Sequence, residues 1–165
     1  MREIVIYCRG GQGGITSARI LARAALIEGF HSQAMPQFGA ERRGAGVQAY
    51  LRISETRIRR RSRIVRPDIA VIFDTSLNVS ADSATKIVNS PNGGGGDIVI
   101  DANTIAVKLG LIVSGWPVVN TAMSGAVAKH LGFKISSLED AIAEEVGARV
   151  EDNIRAARMA YGMVK

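Results

Sequence analysis

The constraint that most narrows the possible folds is the run Arg9-Gly10-Gly11-Gln12-Gly13-Gly14. An apolar, β-branched stretch, Ile4-Val5-Ile6-Tyr7-Cys8, precedes it and reads as a buried strand over Glu3–Cys8. After it, Ala18, Leu21, Ala22, Ala25 and Leu26 recur at helical spacing, which predicts a helix over Thr16–Glu28 with Gly29 closing it. A glycine-rich turn between a buried strand and a small-faced helix aims backbone amides at whatever lies beyond the sheet edge, a geometry suited to phosphate or carboxylate. No Gly-Lys-Ser/Thr follows, so the turn is not a phosphate loop, and no acid caps a second strand about 20 residues on, as the dinucleotide fingerprint requires. A tight turn that merely lets the helix pack close remains the alternative.

Beyond the turn, the pattern is that of an α/β chain. Val47–Ile53 alternates as a strand, and Arg57-Ile58-Arg59 predicts a second run that pairs with it as an antiparallel hairpin spanning 47–59. Ile69–Asp74 is an unbroken apolar run of the parallel-sheet kind, with Asp74 at its carboxyl end, the edge where such sheets bind ligands. Residues 76–86 read as weakly helical, 86–89 and 98–101 as short strands, and Pro91–Gly96 as a flexible connection. Helices are expected over 102–109, 121–131 and 136–146, the last opened by overlapping capping boxes (Ser136 with Glu139, Ser137 with Asp140), with a strand beginning at Pro117–Asn120. A final helix carries Ile154, Ala157, Tyr161 and Val164 on one face. No repeat interrupts residues 1–165, which read as one domain.

Charge is localised. The net charge is +6, yet residues 42–66 alone hold nine arginines against one acid, Glu55, leaving the rest of the chain slightly acidic. Every cation in that stripe is Arg, which favours forked pairing with carboxylates or phosphates. Tyr50 is the one aromatic within it, too few for base stacking, and no nucleic-acid partner is expected. Residues 57–66 read either as a strand with a solvent face of arginines or as a docking surface for an acidic partner. Phe38-Gly39-Ala40-Glu41-Arg42-Arg43-Gly44 has neither helical nor strand period, and its glycine frame points to Phe38, Glu41, Arg42 and Arg43 as interface or ligand contacts, against a self-contained salt-bridge loop.

Several signals are missing. One cysteine, Cys8, cannot hold an iron–sulfur cluster, and it suits a reducing cytoplasm. No apolar run reaches membrane-spanning length, and the N-terminus is too charged for a secretory leader. His31 and His130 lack a partner pattern for metal or triad and read as structural, and no catalytic or metal-ligating residue is assigned. Asn120 or Thr121 is placed to cap the helix that follows it.

Taken together, Arg9–Gly14, Pro36–Gly44, Arg52, Ile58-Arg59, Pro67-Asp68, Asp74-Thr75-Ser76-Leu77, Asp101–Ala106 and Asn120–Ala126 give the chain a clear likeness. It resembles the gamma subunit of the 2-oxoacid:ferredoxin oxidoreductases, the family of pyruvate synthase. The resemblance implies a mixed, curled, mostly parallel sheet in a single three-layer-like domain. It implies an assembly with alpha, beta and delta-type subunits that carries thiamine diphosphate and iron–sulfur clusters on other chains, uses coenzyme A as acyl acceptor and passes electrons to ferredoxin. The isolated chain would then be inactive and bind no cofactor by itself. Gly10, Gly11, Gln12, Gly13, Gly14, Thr16, Asn120 and Thr121 are the residues expected to bind cofactor, the glycine turn contacting coenzyme A or a neighbouring subunit. A stand-alone Rossmann-like nucleotide-binding module is the alternative. The likeness departs between 80 and 97, where the family carries a longer helix and strand than this chain provides.

Overall fold

The computed structural model describes residues 1–37, 46–83 and 85–165. Strand β1 (Arg2–Arg9) runs into the glycine turn and helix α1 (Gly14–Ile27), as the periodicity predicts. The chain continues through β2 (His31–Pro36), β3 (Gly46–Ser54), β4 (Ile69–Ile72), β5 (Thr85–Asn89) and β6 (Ile98–Ile100). Then come α2 (Ala102–Lys108), a small hairpin β7 (Ile112–Val113) and β8 (Trp116–Pro117), and helices α3 (Asn120–Leu131), α4 (Ile135–Glu145) and α5 (Val150–Met163).

The six-stranded sheet has the order β2-β3-β1-β4-β5-β6. β1, β4, β5 and β6 are parallel, whereas β3 is antiparallel to both β1 and β2, so the sheet is mixed and mostly parallel as expected. Alternation along the strands divides the side chains. Ile4, Ile6 and Cys8 of β1 share one core with Leu51, Val71, Ile87 and the buried side chains of all five helices. Val5 and Tyr50 point the other way and meet Ile64. Helix α3 lies deepest: Asn120–Ala128 is buried throughout, and Gly125 lets it approach the Ala157 backbone of α5 closer than any side chain would permit.

The structure corrects four expectations. The antiparallel partner of β3 is β2, not residues 57–59: both edges of β3 are taken by β1 and β2, and 57–61 forms no strand. β2 escaped the pattern because His-Ser-Gln-Ala-Met-Pro does not alternate, and its Pro36 suits a sheet edge. Residues 76–83 form no helix; Leu77 N–H donates to Asp74 O and Val79 N–H to Leu77 O, turn bonds that Asn78, Ser80, Asp82 and Ser83 favour over helical ones. The strand expected from Pro117 is a two-residue arm of the β7–β8 hairpin, because Asn120 already opens α3. Finally, the capping boxes expected to open α4 are unused: the helix starts earlier, with Lys134 at the cap position, and Ser136 and Ser137 lie within its first turn. Glu28, at the end of α1, reaches over instead, its Oε1 accepting from Lys134 N (2.8 Å) and Ser137 Oγ (2.7 Å).

The glycine-rich connection 90–97 joins parallel β5 to β6 without a helix. Such crossovers ordinarily need a dozen or more residues. Gly93, Gly94 and Gly95 all take positive φ, and Gly96 lies against the Val88 side chain where a Cβ would collide with Lys86 O at 2.8 Å. The chain thereby crosses flat over β5. Asp97 locks the return, its Oδ2 accepting from Lys86 N at 2.7 Å.

Candidate functional site

A cleft of about 830 Å³ opens at the carboxyl ends of β1, β4 and β5. The turn residues Arg9–Gln12 form one wall, and Phe73–Ser76, at the end of β4, the next. Asn89, Pro91 and Asn103 close a third side, and the β7–β8 hairpin with Trp116 stands over the mouth. This is the edge where an α/β sheet presents ligands.

The glycine turn divides into two halves with different duties. Gly13 and Gly14 serve packing. A Cβ on Gly13, whose φ is 79°, would sit 2.6 Å from Asn120 Nδ2, and one on Gly14 would overlap the buried Cys8 sulfur. Gly10 and Gly11 instead border the cleft, and Gly11, with φ of 91°, has open space where a side chain would be. Gln12 folds back, its Oε1 accepting from Arg9 N at 2.6 Å, and so holds the turn closed.

The charged wall is an ion pair. Arg9 Nε donates to Asp74 Oδ2 at 2.8 Å and Arg9 Nη2 donates to Ser76 Oγ at 2.5 Å. Burial pushes the Asp74 carboxyl up, but the hydroxyl and amide of Ser76 and the Arg9 guanidinium outweigh it and hold the group below the usual range. Asp74 thus lies where the sequence placed it, at the ligand edge. Asn89 braces the neighbouring strand ends: Nδ2 donates to Phe73 O (2.9 Å), and Oδ1 accepts from Ala102 N (3.0 Å), the first residue of α2.

Other predicted residues fall elsewhere. Thr16 is half-buried on the first turn of α1 and does not line the cleft. Asn120 and Thr121 are not caps: the cap position is Val119, and Asn120 Oδ1 accepts from the next amide, Thr121 N (2.9 Å), while packing on Gly13. Thr121 is fully buried, with its hydroxyl donating to Asn153 Oδ1 of α5 at 3.0 Å. Phe38, Glu41, Arg42 and Arg43 lie outside the described residues. His31 and His130 are exposed, on β2 and in the last turn of α3, rather than part of the core. Burial pushes the Cys8 thiol up to about 11, partly offset by the Gly14 amide that donates to it. Among the described residues no three of His, Cys, Asp or Glu gather as metal ligands would.

Sequence reasoning missed Asn89, Asn103 and Trp116. Trp116 is the sole tryptophan, and its setting in Gly115-Trp116-Pro117, a turn context, was the available signal; in the structure 75% of its surface is exposed.

The match to known proteins runs over nearly the whole chain. Residues 3–163 fit the family model described as pyruvate ferredoxin/flavodoxin oxidoreductase. The chain belongs to this family. It is 41% identical to the pyruvate/ketoisovalerate oxidoreductases common subunit gamma of Pyrococcus furiosus, covering 98% of this chain and 96% of that one. It is equally 41% identical to pyruvate synthase subunit PorC of Methanothermobacter thermautotrophicus, over 98% and 94% of the two chains. The crystal structure of pyruvate oxidoreductase subunit PORC from Thermotoga maritima superposes with a TM-score of 0.80 at 28% identity, covering 99% of this chain and 97% of that one. The resemblance to gamma-type chains of these oxidoreductases therefore holds over the full length, and so does the fold.

Proposed function

We propose that the chain works as the gamma subunit of a multi-subunit, cytoplasmic 2-oxoacid:ferredoxin oxidoreductase, with pyruvate as the favoured substrate, and that its cleft receives part of coenzyme A. The observation that supports the second half is the split glycine turn: Gly10 and Gly11 line a cleft of about 830 Å³, with open space at the Gly11 Cβ position, while Gly13 and Gly14 are used up in packing. Bare backbone lets a phosphate-bearing ligand approach the amides closely. Trp116 adds an exposed ring at the mouth, which suits a partly aromatic ligand, while the Arg9–Asp74 ion pair makes a polar wall.

In this reading the chain contributes no reacting group. Gly10 and Gly11 admit the ligand, Gln12 fixes the turn, and Asn120 supports it from behind. Thiamine diphosphate and the iron–sulfur clusters would reside on alpha, beta and delta-type partners, since one buried thiol is no cluster ligand set. Phe38, Glu41, Arg42 and Arg43 would contact those partners. The assembled enzyme would oxidatively decarboxylate a 2-oxoacid to an acyl-CoA and pass the electrons to ferredoxin.

Calorimetry on the assembled enzyme and on the isolated chain, with coenzyme A and NAD as ligands, tests the cleft. Coenzyme A binding that weakens at least about tenfold more in Gly11→Leu than in Gly11→Ala, which carries the same positive-φ strain without the bulk, is the expected result. Micromolar NAD binding with no response to coenzyme A would support the stand-alone nucleotide module instead. One feature speaks for that second reading: Asp74 ends the parallel neighbour of β1, where dinucleotide folds keep a ribose-binding acid. Its carboxylate is already held by Arg9 and Ser76.

A further inference from the structure

The sheet face opposite the helices is covered by irregular chain, not by a helix. From Glu55 to Asp68 the backbone crosses Val5 and Tyr50, and Ile64, 4% exposed, is its apolar anchor. The polar anchor is Arg52, which is wholly buried. Its Nε donates to Glu3 Oε1 at 2.7 Å, its Nη2 to Ser62 O at 2.6 Å and its Nη1 to Arg60 O at 3.4 Å. Both loop contacts are to main-chain carbonyls. They fix the strap while leaving its side chains outside.

Those side chains are arginines. Arg57, Arg59, Arg60, Arg61, Arg63 and Arg66 are all exposed. Arg60 reaches Glu3 at 3.6 Å, and Arg63 lies beside the Tyr50 hydroxyl. Arg57, Arg59, Arg61 and Arg66 have no anionic partner among the described residues, and Glu55 is the one acid between Ser54 and Arg66. Like charges crowded on one segment repel, and a loose tail would relieve them. Here a buried guanidinium and a buried isoleucine hold them together instead, which gives up stability unless counter-charges arrive from outside.

We propose that this arginine strap is the docking surface for a carboxylate-rich face of another chain of the same enzyme. The inference rests on membership of a multi-chain assembly, not on the ligand of the cleft. Arginine alone, without a single lysine in the strap, matches the planar fork of carboxylates. The strap exposes no aromatic ring for stacking on bases; Tyr50 is buried beneath it with its hydroxyl on Gln37. Val65 is its one exposed large apolar side chain, too little for insertion into a bilayer.

The test combines Arg57→Ala, Arg59→Ala and Arg61→Ala in the full chain, mixed with the remaining chains of the enzyme. The variant should keep its circular dichroism and match or exceed the wild-type urea midpoint, since like-charge repulsion is relieved, but associate about tenfold or more slowly, and added salt (50 to 500 mM NaCl) should slow the wild type towards it. Should the triple change disturb folding, Arg57→Gln with Arg61→Gln gives the same reading. Association equal to wild type at low salt would overturn the proposal. So would wild-type binding to a 20-base-pair DNA duplex tighter than about 1 µM at 150 mM NaCl that the triple variant loses, which would make the strap a nucleic-acid surface.

Discussion

Replacing Gly14 by alanine probes whether the second half of the glycine turn exists for packing. Gly14 opens α1 and its φ is not positive, so alanine meets no backbone strain and is a better helix former by up to ~1 kcal/mol. The obstacle is the Cys8 sulfur. A new methyl would overlap it by roughly 1 Å, in a strand whose neighbours on both sides are packed, and overpacking of this kind costs about 1–3 kcal/mol. Cys8→Ala alone removes one buried heavy atom and should cost about 1 kcal/mol. Combined, the methyl occupies the space the sulfur leaves. The double variant should be no less stable than Cys8→Ala, with a coupling of about 1–3 kcal/mol in a urea-denaturation cycle. Additivity within about 0.5 kcal/mol would refute the packing account and return Gly14 to the ligand.

Three further outcomes follow from the contacts described. Glu3→Ala strands the wholly buried Arg52 guanidinium and should cost about 3–5 kcal/mol, with trypsin nicking 57–66 faster as the strap loosens; unchanged nicking would show that Ile64 alone holds it. The Cys8 thiol, raised by burial to about 11, should resist thiol reagents at pH 8 until urea unfolds the chain. Because its folded value lies above its ordinary 9, the stability it confers is complete below pH 9 and fades as pH rises towards 11, measurable by urea midpoints across that window. Glu28→Ala removes the acceptor at the start of α4 and should cost about 1 kcal/mol at pH 7. The Ser137 hydroxyl and Lys134 amide hold that carboxyl below its usual value, so the loss should shrink as pH falls through the acid range; a cost independent of pH would exclude the charged cap.

What the sequence revealed was mostly what repeats. β1, α1 and β4 were legible because β-branched runs and 3.6-residue spacing are local signals, and Asp74 was placed correctly because a strand end carries its own geometry. Partners distant in sequence were not legible. Glu28 displaces two plausible capping boxes across more than 100 residues, and Arg52 recruits the carbonyls of Arg60 and Ser62 in place of the expected strand pairing. The cleft shows the same limit. Its glycines announced themselves, whereas Asn89 and Trp116 gained their places only when β5 and the β7–β8 hairpin were brought to the ends of β1 and β4.

The short glycine crossover has a kinetic meaning as well. Val88 finds Val99 only 11 residues away, whereas Ile4 must find Leu51 at a separation of 47. Closing the smaller loop costs ~1.3 kcal/mol less chain entropy, an advantage that the freedom lost by fixing four glycines partly offsets. Parallel pairing, ordinarily a late and long-range event, becomes a local one at this end of the sheet. Pulsed hydrogen exchange during refolding should therefore protect the β5–β6 edge before the β1–β3 centre, so that the sheet grows from its rim inward.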